Sequence, residues 1–161
     1  MESKNKNNIF YFLLMMIITL GGAYLSYKFT GDMSIYSNTI TQPKFVPPAI
    51  VFKIVWPILY VLMGVASYRI LVAYKNGEAS KYPLILYFIQ LALNLMWPLI
   101  FFKLRLVAIA AIELLLLLVI VILMTIEFFK VDKVSGFLVV PYVLWLIFAL
   151  VLNFALFWVN S

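Results

Sequence analysis

The stretch LVAIAAIELLLLLVIVILMTIEFF, residues 106–129, decides the fold. As a helix rising about 1.5 Å per residue it is long enough to cross the roughly 30 Å hydrocarbon core of a bilayer. Before its closing Glu127, only Glu113 and Thr125 are polar in its body. It lacks the apolar/polar alternation of a barrel strand, and an open sheet would leave backbone groups unpaired in lipid, so a helix remains. With so uniform a surface, this helix is expected to face lipid or a twin subunit.

Reading outward gives four more spans, at 9–27, 49–72, 83–102 and 137–159. The second carries charge only near its ends, at Lys53 and Arg69, where long side chains can snorkel to the interface. Of the 161 residues, 66% are hydrophobic and 11% charged, and the mean hydropathy is +1.11. These values lie far from those of water-soluble domains. The predicted fold class is therefore an all-α integral membrane protein, a single bundle of five transmembrane helices forming one domain over 1–161. The spans show no internal repeat, and five do not divide into two inverted halves, which argues against a common secondary-transporter architecture.

The net charge of +6 resides mainly at span ends, where Lys and Arg meet lipid headgroups. No basic stripe or motif points to nucleic acid. Without cysteine or histidine the chain cannot form disulfides, thiol nucleophiles, structural zinc sites or histidine-ligated haem, and no metal is expected. Lys4 and Lys6 before an apolar run imitate a secretory signal, but the run is long and lacks an A-x-A site, so the first helix is expected to be retained. Lys4, Lys6, Arg69, Lys75, Lys81, Lys130 and Lys133 fall on one side, against Lys28, Lys44, Lys53, Lys103 and Arg105 on the other. The positive-inside bias then puts the N-terminus in the cytoplasm.

Polar and aromatic side chains recur at helical spacing. In the second span, Phe52, Trp56, Tyr60, Met63 and Ser67 share one face. In the third, Gln90, Asn94 and Trp97 share another, and Pro98 leaves the Asn94 carbonyl without its helical partner, predicting a kink beside a cavity. In the fifth, Tyr142, Trp145, Ala149 and Asn153 align, with Ala149 leaving room beside the indole. Each has a plainer reading: intramembrane amides often only tie helices together, at about 0.6–2 kcal/mol per bond. Aromatics such as Tyr24, Tyr27, Tyr74, Tyr82 and Trp158 sit at span ends as interfacial belts. Glu113 is an intramembrane carboxyl within reach of Arg105 or the interface, and otherwise a candidate for proton coupling. No nucleophile–base pair, carboxylate pair or glycine-rich phosphate loop is present.

The long connection 28–48 contains Tyr36 and the run Gln42-Pro43-Lys44-Phe45-Val46-Pro47-Pro48, stiff at the entry to the second helix and shaped like a lid. Together with Val51-Phe52, Trp56 and Leu59-Tyr60, it resembles the corresponding region of the tryptophan-rich sensory protein/translocator protein (TspO/MBR) family. Gln90-Leu91, Asn94, Trp97 and Phe101-Phe102 resemble that family's third helix. Pro141-Tyr142, Trp145, Phe148-Ala149 and Leu152-Asn153 resemble its fifth. Two departures concern the lid: Ile35 stands where many members carry an aromatic, and Phe45 where tryptophan is frequent. No Lys or Arg follows Lys133, so the cholesterol motif of animal members is not expected.

The resemblance implies a five-helix bundle, often a homodimer, in the cell membrane of a bacterium, with a cavity under the first loop that takes porphyrins or similar flat aromatic ligands. Carried over residue by residue, Trp56 and Trp145 would flank the ligand, and Asn94 and Gln90 would offer amide contacts. Tyr36, Phe45 and Pro47 would close the top, and Phe52, Tyr60, Trp97, Tyr142 and Ala149 complete the lining. A tetrapyrrole, broad and flat with polar edges, suits such a site. Three functions follow as expectations. The first is a porphyrin receptor or sensor linked to tetrapyrrole transport or oxidative stress. The second is light- and oxygen-dependent porphyrin breakdown, with Trp56 and Trp145 as catalytic indoles and porphyrin as substrate. The third is a small proton- or ion-coupled transporter acting through Glu113. None requires a resident cofactor.

Overall fold

A computed structural model describes residues 2–31 and 41–160, with side chains from residue 7 onward. Tyr36 and Ile35 lie outside the described residues. Five long helices follow in order: α1 (Glu2–Thr30), α2 (Ala49–Lys75), α3 (Tyr82–Pro98), α4 (Val107–Val131) and α5 (Lys133–Asn160). A π-helical turn, Leu99–Lys103, continues α3. All five segments are long and apolar enough to cross a membrane, α4 being the most hydropathic at 3.2. The helices overrun the predicted spans at most ends, because a helix does not stop where lipid does.

The junctions follow local chemistry. Gly77, with φ of 77°, takes the left-handed conformation needed to end α2. The α3–α4 connection bends through Arg105, also at positive φ. Only Asp132 separates α4 from α5, and its carboxylate accepts the Ser135 backbone N–H at 3.0 Å and the Ser135 hydroxyl at 2.5 Å. That is an N-cap for α5. The same carboxylate receives Nε and an Nη of Arg69 at 2.6 and 3.0 Å, tying the hairpin to α2. The guanidinium holds the Asp132 carboxyl well below the usual carboxylate range.

The helices pack as a ring in the order α1, α2, α5, α4, α3 and back to α1. The core fills the half of the bundle distal to residues 41–48, from Met63, Ala66 and Ile70 of α2, Tyr87 of α3, Leu117, Val121, Met124 and Phe128 of α4, and Val139, Tyr142 and Leu146 of α5. Thus α4 does not simply face lipid. One face, including Ala110, Glu113, Leu114 and Leu117, is buried, while Ile112, Leu116, Val119 and Ile126 stay exposed. Exposed apolar side chains on all five helices make a surface suited to hydrocarbon and not to water.

Polar clips orient α1 against α3: the Thr19 and Tyr87 hydroxyls are hydrogen-bonded, and Ser26 Oγ donates to the Leu95 carbonyl at 2.6 Å. Lys103 Nζ caps the C-terminal end of α1 at the Phe29 carbonyl, 3.0 Å away. Gly64 lies so close to Met16 that an added Cβ would sit 2.6 Å from its sulfur. A bare backbone there lets α1 and α2 approach.

Candidate functional site

The stripe on α2 grades from half-buried Phe52, Trp56 and Tyr60 to fully buried Met63 and Ser67. Its upper half faces α5. Trp56 and Trp145 meet edge to face with centroids 6.4 Å apart, Trp56 lies 5.7 Å from Tyr60 and 6.5 Å from Tyr142, and Phe52 lies 5.5 Å from Trp145. Phe148 covers the other side of Trp145 at 5.4 Å. The two indoles therefore touch, and a flat guest enters between them only by separating the rings.

Open volume lies beside Trp145 instead. A groove of about 370 Å³ between α2 and α5 is lined by Val55, Ile58, Leu59, Leu62, Pro141, Leu144 and Trp145. Ligand sites commonly fall between about 300 and 1,000 Å³. Pro57 and Pro141 lie inside these two helices, where each removes a backbone hydrogen bond of its helix. The groove opens sideways, at the level of the lipid-exposed Ile58 and Leu144, rather than only upward under the loop.

The amides expected to meet a ligand are already engaged. Tyr60 donates to Asn94 Oδ1 at 2.5 Å, Asn94 Nδ2 donates to the Tyr142 oxygen at 2.6 Å, and the Tyr142 hydroxyl donates to Gln90 Oε1 at 3.1 Å. Gln90 Nε2 points to the Met63 sulfur at 3.8 Å. One chain of hydrogen bonds thus fastens α2, α3 and α5, and for Gln90 and Asn94 the helix-tying reading holds. A guest reaches them only by displacing a tyrosine.

The ring partners of Trp97 are Phe101 and Phe102, although it packs against the main core as do Trp56 and Trp145. It stacks on Phe101 with centroids 4.7 Å apart and planes 16° from parallel, within a second cluster that includes Phe52, Val46, Ala110, Leu152 and Leu156. Beyond Pro98 the interruption takes the form of the π turn, with Leu104 N–H bonded to the Leu99 carbonyl at 2.9 Å. Phe101, 3% exposed, packs against Trp97 beside this turn. Ala149 is half-buried at the edge of the main core.

Of the loop residues, Phe45 is 51% exposed and turned outward. Pro47 is half-buried, and Val46 is the residue that packs inward, its N–H bonded to the Pro43 carbonyl at 3.1 Å. Asn160, at the end of α5, exchanges two hydrogen bonds with the Thr41 backbone, at 2.9 and 3.0 Å. Neither Val46 nor Asn160 stood out as a site residue in the sequence, and nothing local marks Asn160.

Several buried polar atoms have no hydrogen-bond partner: the indole nitrogens of Trp97 and Trp145, both oxygens of Glu113 and both amide atoms of Asn153. Glu113 does not reach Arg105. Trp145 lines the cleft with its ring, and its indole nitrogen is buried without a partner. Among the described residues no group of His, Cys, Asp and Glu could hold a metal, and no acid–base pair lines the groove. The chemistry the groove offers is aromatic contact and apolar burial.

Residues 13–159 match the model of the TspO/MBR family. A tryptophan-rich protein TspO from Chlorobaculum tepidum is 34% identical over 126 residues, covering 78% of this chain and 79% of that protein. Protein CrtK from Rhodobacter capsulatus is 33% identical over 123 residues, covering 76% and 77%. The human translocator protein is 38% identical over 118 residues, covering 71% and 69%.

Proposed function

Because this chain belongs to the TspO/MBR family, we propose that it is a membrane receptor for porphyrins or similar flat aromatic molecules. The cleft between α2 and α5 is their binding site. The observation that carries this reading is the aromatic set Phe52, Trp56 and Trp145, of which Trp145 lines an apolar groove and keeps a buried, unpaired indole N–H. A tetrapyrrole can lay its face along such a wall once Trp56 and Trp145 part, and the buried Trp145 N–H then becomes available to its polar edge. The edge-to-face contact of Trp56 with Trp145 opens as the guest enters. Because the groove opens toward lipid, an apolar ligand reaches it from within the bilayer.

The proposal includes a cytoplasmic N-terminus, residence in a bacterial cell membrane and a homodimer. Crosslinking in membranes, with accessibility labelling at each end of the chain, tests these points.

Titrating the purified protein in lipid nanodiscs with protoporphyrin in the dark, and following both the Soret band and tryptophan fluorescence, tests the binding. Saturable quenching with a Soret shift is expected. Repeating it under light and oxygen separates a receptor from a porphyrin-degrading enzyme, in which Trp56 and Trp145 would be the oxidisable groups. A stable spectrum is expected for a receptor, and new absorbing products would favour the enzyme.

A further inference from the structure

Three buried side chains on neighbouring helices share one property: the indole N–H of Trp97 in α3, both carboxyl oxygens of Glu113 in α4 and both amide atoms of Asn153 in α5 lack hydrogen-bond partners. Asn153 is 1% and Glu113 9% exposed. Helices α3 and α4 pack together, as do α4 and α5. Chain geometry brings the three groups to one depth. Trp97 precedes and Glu113 follows Arg105, in the α3–α4 turn, by the same number of residues. Glu113 and Asn153 stand almost equally far from Asp132, at the α4–α5 joint, so their heights differ by about 3 Å at 1.5 Å per residue.

Packing supports the same placement. Trp97 lies in one cluster with Ala110, a turn before Glu113, and with Leu152 and Leu156, which flank Asn153. Ala110 and Ala149, a turn from Glu113 and Asn153 respectively, are small residues beside the two polar groups. The inventory is complementary: the indole N–H and the amide NH₂ donate, while the amide carbonyl and the carboxyl oxygens accept. In a membrane interior such groups are costly unless something joins them, and buried water does this where two to four polar partners converge.

The charges around Glu113 decide its state. Neither α3 nor α5 beyond Lys133 contains a charged residue. Lys103 and Arg105 in the adjoining turn are exposed, as are Lys53, Arg69 and Lys75 of α2. The titratable group with which it interacts electrostatically is the phenol of Tyr142, itself joined to Tyr60 through Asn94. With no cation at hand, a buried carboxyl is tolerated only as the neutral acid.

We propose that Trp97, Glu113 and Asn153 form a hydrated proton-binding site that adjoins the Trp56–Trp145 cleft through Phe52 and Phe148. In it Glu113 carries a proton, and water joins the carboxyl to the indole N–H and the amide. The site gives the bundle a group that can take up and release a proton within the membrane.

Infrared spectroscopy of the protein in lipid, in H₂O and D₂O at neutral pH, tests this site without reference to porphyrin. Expected is a protonated-carboxyl C=O band that shifts in D₂O, vanishes in Glu113→Gln and moves in both Asn153→Leu and Trp97→Phe. The absence of such a band from the unmodified protein would overturn the proposal, since Glu113 would then be ionised and matched by a bound cation. A band left in place by either neighbour substitution would also overturn it. Should Glu113→Gln fail to insert, the band of the unmodified protein and its response to the other two variants carry the test.

Discussion

Asn94 gives its amide N–H to the Tyr142 oxygen at 2.6 Å while its carbonyl takes the Tyr60 proton at 2.5 Å, so one side chain of α3 fastens both α2 and α5. Replacing it removes two interhelical bonds and leaves two phenols short of partners. Intramembrane hydrogen bonds average well under 2 kcal/mol, but stranded buried hydroxyls add to the loss. Asn94→Leu should therefore lower the unfolding free energy by about 1–3 kcal/mol, read by thermal unfolding in detergent. Porphyrin affinity at a temperature where the fold persists should change less than in Trp145→Phe.

Trp145 has a different role. Its ring forms part of the groove wall and its N–H is unpaired, so Trp145→Phe removes both indole area and a donor while keeping an aromatic in place. Aromatic contacts are worth about 0.5–1.5 kcal/mol beyond simple burial. Protoporphyrin affinity should fall about tenfold, with little loss of thermal stability. An affinity equal to that of the unmodified protein would place the ligand elsewhere.

Asp132 makes stability depend on acidity. Its carboxyl is held down by the Arg69 guanidinium and by Ser135, so the folded state favours the ionised form. That contribution is complete above the unfolded-state value of about 3.9 and is lost as pH falls through the lower folded value. Relative to Asp132→Asn, the unmodified protein should be more stable at pH 7, with the gap narrowing below about pH 4. Because both partners are partly exposed, added salt should also narrow it.

The five spans, the aromatic stripe of α2 and its counterpart on α5 were legible in the sequence because length and period 3.6 carry that information directly. The inward face of α4 was not. Its composition is nearly uniform, and only Glu113 and the small pair Ala110 and Ala111 hint at which side meets protein. Nor could spacing divide polar residues between helix ties and ligand contacts. Gln90 and Asn94 had the right depth and face, but what an amide bonds to depends on which phenols the other helices bring to it. The Asn160–Thr41 contact links positions 119 apart in sequence and has no local signal.

That contact leads to a further prediction. Asn160 closes a small ring with the Thr41 backbone, so Asn160→Ala should free the start of the segment that seats Val46 over the Phe52–Phe101 cluster. Amide exchange over residues 41–46 should quicken while that of α2 and α5 stays unchanged. Protection of 41–46 equal to that of the unmodified protein would mean that Val46 alone anchors the segment.

The aromatic wall between α2 and α5 is the proposed place where a flat ligand binds. The most direct measurement is dark titration of protoporphyrin into nanodisc-embedded protein, comparing the unmodified chain with the Trp56→Phe, Trp145→Phe double substitution, each confirmed helical by circular dichroism. Saturable binding by the first and an affinity reduced at least tenfold in the second is the predicted result. Equal affinity in a folded double variant would contradict it.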